Sequence, residues 1–186
     1  MHVCYNYRCM NKILRDPHTV KLFIGMLSQD VSLFDQLSEK LQNIFGPVDI
    51  ESPVWTWEHT DYYSKEMGEG LKRKFIFFQK LINPGIVSEV KLKTIELERK
   101  CLDESGCRRI NLDPGYLDSA KIVLVSTKDF SHRIYLGNGI YGEVTLIYSG
   151  KNYQILPFTY PDFRTSEYLD IFRKAREVYK DAGRDR

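Results

Sequence analysis

The segment of residues 132–146, HRIYLGNGIYGEVTL, constrains the fold most because it specifies two antiparallel strands and their register. Asn138-Gly139 is a frequent two-residue hairpin turn, but with that loop apolar and charged side chains would share one face. A three-residue loop, 137–139, separates the two faces because side chains alternate along a strand. We therefore predict the three-residue loop.

This loop gives the two faces of the hairpin different chemistry. One face is polar and aromatic, with Arg133 opposite Glu143 and Tyr135 opposite Tyr141. The other face is apolar, and we expect it to be buried. Its members are Ile134, Leu136, Ile140, Val144 and Leu146. His132 falls on the apolar side, which favours a core histidine over a general base.

Upstream of the hairpin, apolar patterns occur in the order strand, helix, strand, strand, helix, strand. The strands are predicted at 20–27, 49–57, 75–81 and 109–112, and the helices at 33–45 and from Asn83-Pro84 to Cys101. Asn followed by Pro is a typical helix start. Pro53 favours an edge or a bulge in the second strand.

This order is that of the ferredoxin-like split arrangement. Further strands are predicted at 120–125, in the hairpin and at 151–158, and Ser166 begins a last amphipathic helix. The fold class is therefore α+β, a ferredoxin-like split βαββαβ core with an added antiparallel hairpin and a C-terminal helix. We expect a flexible arm at 1–16 and a single domain at 17–186.

Composition excludes few functions. The chain has 186 residues, of which 28% are charged, and its net charge of +2 implies no dedicated nucleic-acid or membrane surface. No run reaches the roughly 18 apolar residues of a membrane span and no signal peptide is evident, so we expect a cytoplasmic protein without a membrane partner. The pairs Cys4/Cys9 and Cys101/Cys107 lack zinc-site spacing, which favours free thiols.

Polar clusters fall at predicted loops and strand ends. If those ends meet in one cleft, carboxylates, cations and tyrosine hydroxyls surround a site suited to an anionic ligand. The candidate catalytic residues are Asp113, Asp129 and Glu143. The candidate ligand-binding residues are Tyr62, Tyr63, Lys91, Lys128, Arg133, Tyr135 and Arg164. No metal ligand set is assigned, and the cofactor is unknown.

Several of these residues also have a structural interpretation. Asp113-Pro-Gly is typical of a turn. Arg133 and Glu143 together are more often a structural ion pair than a catalytic one, and an exposed pair contributes under about 1 kcal/mol. Arg164 is expected to hold the start of the last helix in place.

Three motifs carry a resemblance to a known family. They are Asp113-Pro-Gly-Tyr116, His132-Arg-Ile-Tyr135 and Lys91-Leu-Lys-Thr94. With them, residues 20–179 resemble a prokaryotic family catalogued as a domain of unknown function, number 4416, some of whose members are labelled GTP-binding proteins. The resemblance implies GTP binding for such members. The motif Gly-x-x-x-x-Gly-Lys-Ser/Thr, whose backbone amides would hold the phosphates, does not occur in this sequence.

Two functions stay open. The first is an enzyme or binding protein for an anionic, phosphorylated small molecule. The alternative is a non-catalytic interaction module that binds RNA through Lys72-Arg73-Lys74, the tyrosines at 62 and 63 and the hairpin aromatics. Whether the protein is an enzyme is left undecided by the sequence, as is its oligomeric state.

Overall fold

The computed structural model describes residues 16–58 and 64–184. Residues 1–15, which form most of the expected arm, lie outside these ranges, as do Tyr62 and Tyr63. The strands are β1 (Val20–Ser28), β2 (Val48–Glu51), β3 (Trp55–Thr56), β4 (Lys72–Ile82), β5 (Ile110–Leu117), β6 (Lys121–Ser126), β7 (Ile134–Gly137), β8 (Ile140–Ser149) and β9 (Asn152–Ile155). The helices are α1 (Ser32–Phe45), α2 (Ser64–Met67), α3 (Val87–Arg99) and α4 (Ser166–Arg184).

Within the described ranges the strands form one sheet of nine. Its order is β2-β4-β1-β5-β6-β8-β7, with β3 paired to β4 and β9 to β8. Every pairing is antiparallel. The α+β class is confirmed.

The central strand β1 has helices on both of its faces. All nine of its residues are buried, as expected from its continuous apolar sequence. Leu22 and Ile24 belong to a core shared with α1 and α3, whereas Phe23 belongs to a second core with α4. On the α4 side, the ring centroids of Phe23 and Phe172 lie 4.9 Å apart in an edge-to-face contact.

The hairpin turn differs from the three-residue prediction. Gly137 pairs with Ile140, which leaves the two-residue turn Asn138-Gly139, and both turn residues have positive φ. A bulge at Leu136 adds one residue to β7. The bulge keeps Tyr135 opposite Tyr141 as predicted.

The expected burial of the apolar hairpin face is wrong for β7. Ile134 is 72% exposed, whereas Ile140 on β8 is 1% exposed. The reason is that β7 is an edge strand of the sheet, and its side chains belong to neither of the two cores that the helices cover. The pairing of β8 with β6 has a second irregularity, which changes the face of the sheet that alternate residues of β8 occupy. Ile140 therefore packs beside Val87, whereas Leu146 belongs to the core with α4.

The Asp113-Pro-Gly segment is also not the turn that its composition favours. Asp113, Pro114 and Gly115 lie inside β5 and pair with β1. A Cβ at Gly115 would collide with the carbonyl oxygen of Val123 and the ring of Phe23, so glycine is required by close strand contact. Pro114 has no N–H to donate, and it lies just beyond the last residue of β5 that pairs with β6. The pairing of β5 with β6 therefore loses no hydrogen bond to this proline.

Local signals elsewhere give the expected structure. The Asn83 side chain accepts a hydrogen bond from the Gly85 N–H at 2.8 Å and begins the short 3₁₀ turn Pro84–Ile86 that leads into α3. The segment around Pro53 separates β2 from β3. No helix within the described ranges is both long and apolar enough to span a membrane.

Candidate functional site

A cavity of about 520 Å³ lies where β5 and β6 part. The two strands pair only from Gly115 to Leu117 on the β5 side. Beyond Gly115, β5 stays paired with β1 and β6 stays paired with β8, so no strand of the described residues bridges the gap between them. The volume lies within the range of about 300–1,000 Å³ that is typical of small-molecule sites.

Helix α3 supplies one wall of this cavity through Lys91, Ile95 and Glu98. These residues are four and three positions apart, a spacing that places side chains on one helix face. The remaining lining comes from the strand ends and loops. It comprises Trp57, Arg73, Arg108, Asn111, Asp113, residues 124–128, Phe130, Arg133 and residues 160–163.

The described lining is rich in charged side chains. Five are cationic and three are acidic: Arg73, Lys91, Arg108, Lys128 and Arg133 against Glu98, Asp113 and Asp162. Two of the cations are paired with acidic residues outside the lining, Arg108 with Glu66 and Arg133 with Glu143. Four aromatic rings complete the wall, namely Trp57, Phe130, Tyr160 and Phe163. The cavity therefore combines cationic side chains with planar apolar surfaces.

Asp113 is held as a carboxylate. Its Oδ2 accepts hydrogen bonds from Asn111 Nδ2 at 2.7 Å and from Arg73 Nη1 at 3.2 Å. Its Oδ1 lies 3.9 Å from Lys91 Nζ. Burial raises the pKa of Asp113, but the charges of Lys91 and Arg73 outweigh it and lower the pKa below its usual value.

Glu98 has the opposite electrostatic balance. Its side chain is buried, and Oε1 accepts a hydrogen bond from the Leu112 N–H at 2.6 Å. Lys91 Nζ is 4.0 Å away. Burial raises the pKa of Glu98 above its usual value, and Lys91 offsets this only in part.

Polar networks hold the cavity walls on two sides. The Arg108 guanidinium donates to both carboxylate oxygens of Glu66, at 2.7 and 2.6 Å, and to Asn111 Oδ1 at 2.9 Å. On the other side, Asp162 Oδ2 accepts from Trp57 Nε1 at 3.3 Å and lies 3.7 Å from Arg73 Nη2. These contacts fix the side chains that flank Asp113.

Arg133 and Glu143 support the loop between β6 and β7. Arg133 Nε donates to Glu143 Oε2 at 2.7 Å, and His132 Nε2 lies 2.9 Å from the same oxygen. The Arg133 guanidinium also donates to the Lys128 carbonyl oxygen at 2.9 Å and to the Tyr160 hydroxyl. Arg133 thereby orders the loop residue Lys128 and the aromatic Tyr160 around the cavity. Burial and the nearby Glu143 carboxylate raise the pKa of Tyr160.

The structure brings together four of the sequence-predicted site residues. Lys91, Asp113, Lys128 and Arg133 all line the cavity. Glu143 lies behind the lining, in contact with Arg133. The functional roles proposed for these residues stay predictions.

Other candidates lie elsewhere. Asp129 is exposed outside the lining, and Tyr135 packs against Tyr141 with ring centroids 5.3 Å apart. Arg164 donates to the Thr159 carbonyl oxygen at 2.8 Å, within its own loop. His132 is half-buried, and its ring stacks on the exposed ring of Phe158 at 4.5 Å between centroids. It is therefore not the core histidine that the strand pattern favours.

The basic triplet proposed for RNA contact does not project three cations into solvent. Arg73 and Lys74 are buried. Arg73 contacts Asp113 and Asp162, and Lys74 Nζ lies 2.7 Å from a Glu51 carboxylate oxygen.

Sequence reasoning did not assign several lining residues to this site. Glu98 was assigned no role, although it shares the helix face of Lys91 at a spacing of seven residues, which was the available signal. Arg73 was expected to contact RNA, and Tyr160 lies in a polar segment, 159–164, but the strand order and the 3₁₀ turn Asp162–Arg164 bring both to the cavity, together with Trp57. Among the described residues no group of three His, Cys, Asp or Glu side chains is placed to hold a metal ion.

Comparison with known proteins gives one match. No curated protein and no solved structure matches the chain. A family model described as "Domain of unknown function (DUF4416)" matches residues 18–179, which is most of the chain and agrees with the resemblance seen in its motifs. The chain therefore belongs to this family.

Proposed function

We propose that the cavity between β5 and β6 binds a small anionic molecule that also carries an apolar or aromatic part. The observation that supports this most is the lining itself, with five cationic against three acidic side chains among the described residues. Cations beside a low-dielectric wall attract an anion more strongly than the same charges in open solvent. The four aromatic rings offer contact area for the rest of the ligand.

Each cation has a distinct place in the proposed complex. Lys91 and Lys128 approach the cavity from α3 and from the loop after β6. Arg133 donates three hydrogen bonds, to Glu143, to the Lys128 carbonyl oxygen and to the Tyr160 hydroxyl, so it mainly positions its neighbours. Phosphate and carboxylate groups are the common biological anions that such donors recognise.

The architecture favours a rigid site. We infer that β1, α1, β2, β4, α3 and β5 form a ferredoxin-like unit, because the strand order β2-β4-β1-β5 and the placement of α1 and α3 on one face match that arrangement. The cavity then lies at the border between this unit and the added strands β6 to β9. Sites at such borders are built by strand ends and loops on a packed scaffold.

A melting screen tests the proposal. Phosphorylated and carboxylated metabolites, GTP with magnesium, short RNAs and uncharged analogues of the small molecules are compared at constant ionic strength. A ligand that binds only the folded protein stabilises it by about 2.7 kcal/mol at a hundredfold excess over its Kd. We expect at least one small anion to raise Tm and its uncharged analogue to leave Tm unchanged.

Matched variants locate the effect. Lys128→Ala removes a lining cation, whereas Lys93→Ala removes a cation from the exposed side of α3, where Lys93 pairs with Glu96. The Tm increase should disappear in Lys128→Ala and persist in Lys93→Ala. Stabilisation by RNA alone, or an anion effect that Lys128→Ala retains, contradicts the proposal.

A further inference from the structure

Glu98 lines the cavity and has one carboxyl oxygen without a hydrogen bond from the described residues. The residue is 5% exposed and lines the cavity wall. Its Oε1 accepts the Leu112 N–H at 2.6 Å. Within the described part of the chain, no hydrogen bond reaches its other oxygen, Oε2. An enclosed carboxyl group with one free oxygen has the geometry to exchange a proton with a ligand.

Glu98 shares its nearest cation with a second carboxyl group. Lys91 is shared, because its Nζ lies 4.0 Å from Glu98 Oε1 and 3.9 Å from Asp113 Oδ1, and donates to the Leu112 carbonyl oxygen at 2.7 Å. One ammonium group therefore serves two carboxyl groups, of which Glu98 is buried and Asp113 is half-buried. Where two carboxyl groups compete in this way, the less well solvated one holds a proton more readily.

Asp113 is the better solvated of the two. It receives hydrogen bonds from Asn111 and Arg73 besides its contact with Lys91, whereas Glu98 receives one backbone N–H. The other charged or titratable groups around this cluster are Arg108 from the loop before β5, Lys128 from the loop after β6, and Tyr160 and Asp162 across the cavity. Burial, which favours the neutral form, also raises the pKa of Glu98.

We propose that Glu98 is the proton-exchanging group of the cavity, so that binding of an anion is coupled to the uptake of one proton by its carboxyl group. This inference rests on the proposed anion-binding function. The proton comes from solvent, the new O–H bond forms at Glu98 Oε2, and that hydroxyl donates to an oxygen of the bound anion. Protonation removes the repulsion between two negative charges in one enclosed space.

The ligand class follows from this arrangement. The anion must accept a hydrogen bond from a neutral carboxyl group at one point and meet lysine ammonium groups at another. Oxyanions, meaning carboxylates, phosphate monoesters and sulfate, satisfy both conditions. If the natural ligand places a leaving-group oxygen or nitrogen beside Oε2, Glu98 can donate the same proton to that atom as a general acid.

Sulfate is a suitable probe because its charge does not change between pH 5 and 8. Its Kd is measured by calorimetry across this range, in two buffers of different ionisation enthalpy. The affinity should weaken as pH rises, by up to about tenfold per pH unit above the pKa of Glu98, and the heat should depend on the buffer. A Kd independent of pH together with a heat independent of the buffer overturns the inference.

Two variants separate Glu98 from the other titrating groups. Glu98→Gln retains an acceptor for the Leu112 N–H, and Glu96→Gln changes an exposed carboxylate on the same helix. The pH dependence should be lost in Glu98→Gln and kept in Glu96→Gln. If a folded Glu98→Gln keeps the wild-type pH profile, another group takes up the proton, and the inference is wrong.

The wild-type protein gives a test that needs no variant. The Glu98 carboxyl carbon is followed by NMR as pH is raised, with and without sulfate. Sulfate should move its titration to higher pH, and an unchanged titration contradicts the inference while leaving anion binding intact. If sulfate, phosphate and acetate all fail to bind, the proposed function fails and the inference with it.

Discussion

Arg133 and Glu143 form the most buried of the ion pairs near the cavity. Their side chains are 1% and 2% exposed, so both charges have lost most of their hydration. The pair therefore differs from the exposed kind, in which solvent screening leaves little net energy. Losing one partner of a buried pair is costly because it leaves the other charge uncompensated.

Glu143→Ala should destabilise the protein by about 3–5 kcal/mol, since it removes the partner of a buried guanidinium. The control is Asp170→Ala, which breaks the exposed pair of Asp170 with Arg173 on α4 and should cost under about 1 kcal/mol. Urea unfolding of both variants gives the comparison. Equal, small losses would show that Arg133 is compensated without Glu143.

Glu98 should make stability depend on pH in a direction opposite to that of most carboxylates. Its pKa is raised in the folded state from the ordinary 4.5, so its contribution is fully present below that value and is lost as pH rises through the folded-state pKa. Glu98→Gln has no group that titrates at this position, so it does not lose this stability as pH rises. The unfolding free energy of the variant, taken relative to that of the wild type, should therefore increase between pH 4 and pH 8.

The matched control for this pH effect is Glu96→Gln, which alters an exposed carboxylate on the solvent side of the same helix. Its unfolding free energy relative to wild type should change less over the same pH range, because solvent screens the charge of an exposed side chain. An equally small change for Glu98→Gln would contradict the predicted effect of Glu98.

At the scale of elements, the hairpin shows which features are local and which are not. Periodicity located both strands, and cross-strand pairing placed Tyr135 opposite Tyr141 as predicted. The bulge at Leu136 was not predictable, because two-residue and three-residue loops are both favourable for this turn sequence. The exposure of Ile134 depends on which elements cover the last strand, and alternation within a strand carries no such information.

The exposure of β7 has a direct energetic consequence. Ile134→Ala should change the unfolding free energy by no more than about 0.5 kcal/mol, because the side chain is already in solvent. Ile140→Ala, across the same turn, removes a side chain packed beside Val87 and Val125 and should cost about 2–5 kcal/mol. Chemical denaturation of the two variants tests the observed exposure of β7. A large loss for Ile134→Ala would restore the predicted buried face.

The candidate site was predictable only in part, for the same reason. Lys91, Asp113, Lys128 and Arg133 were found as polar residues at element ends, and the structure does bring them to one cavity. The apolar inner face of α3 was predictable, and Val90 and Leu97 pack in the core as expected. Glu98 lies on the part of α3 that faces the gap in the sheet, and that gap arises from the pairing limits of β5 and β6, which no local pattern encodes.

At the scale of the whole molecule, the charge is distributed unevenly. The chain has a net charge of only +2, yet five cationic side chains lie together in the described lining of one cavity. An anion is therefore drawn to a defined place rather than to the general surface. Salt should weaken such enclosed binding less than it weakens binding of an RNA backbone, which releases about 0.7 counterions per phosphate contact on a single strand.

The central claim, that the gap between β5 and β6 is a ligand site, is tested most directly by an NMR titration of backbone amides with sodium sulfate. Sodium chloride at equal ionic strength is the reference. We predict saturable shift changes concentrated at Asn111, Asp113, Ser126, Lys128 and Asp162, with α1 and the Asn138-Gly139 turn unaffected. Shift changes scattered over the surface, or identical for chloride and sulfate, would contradict the account.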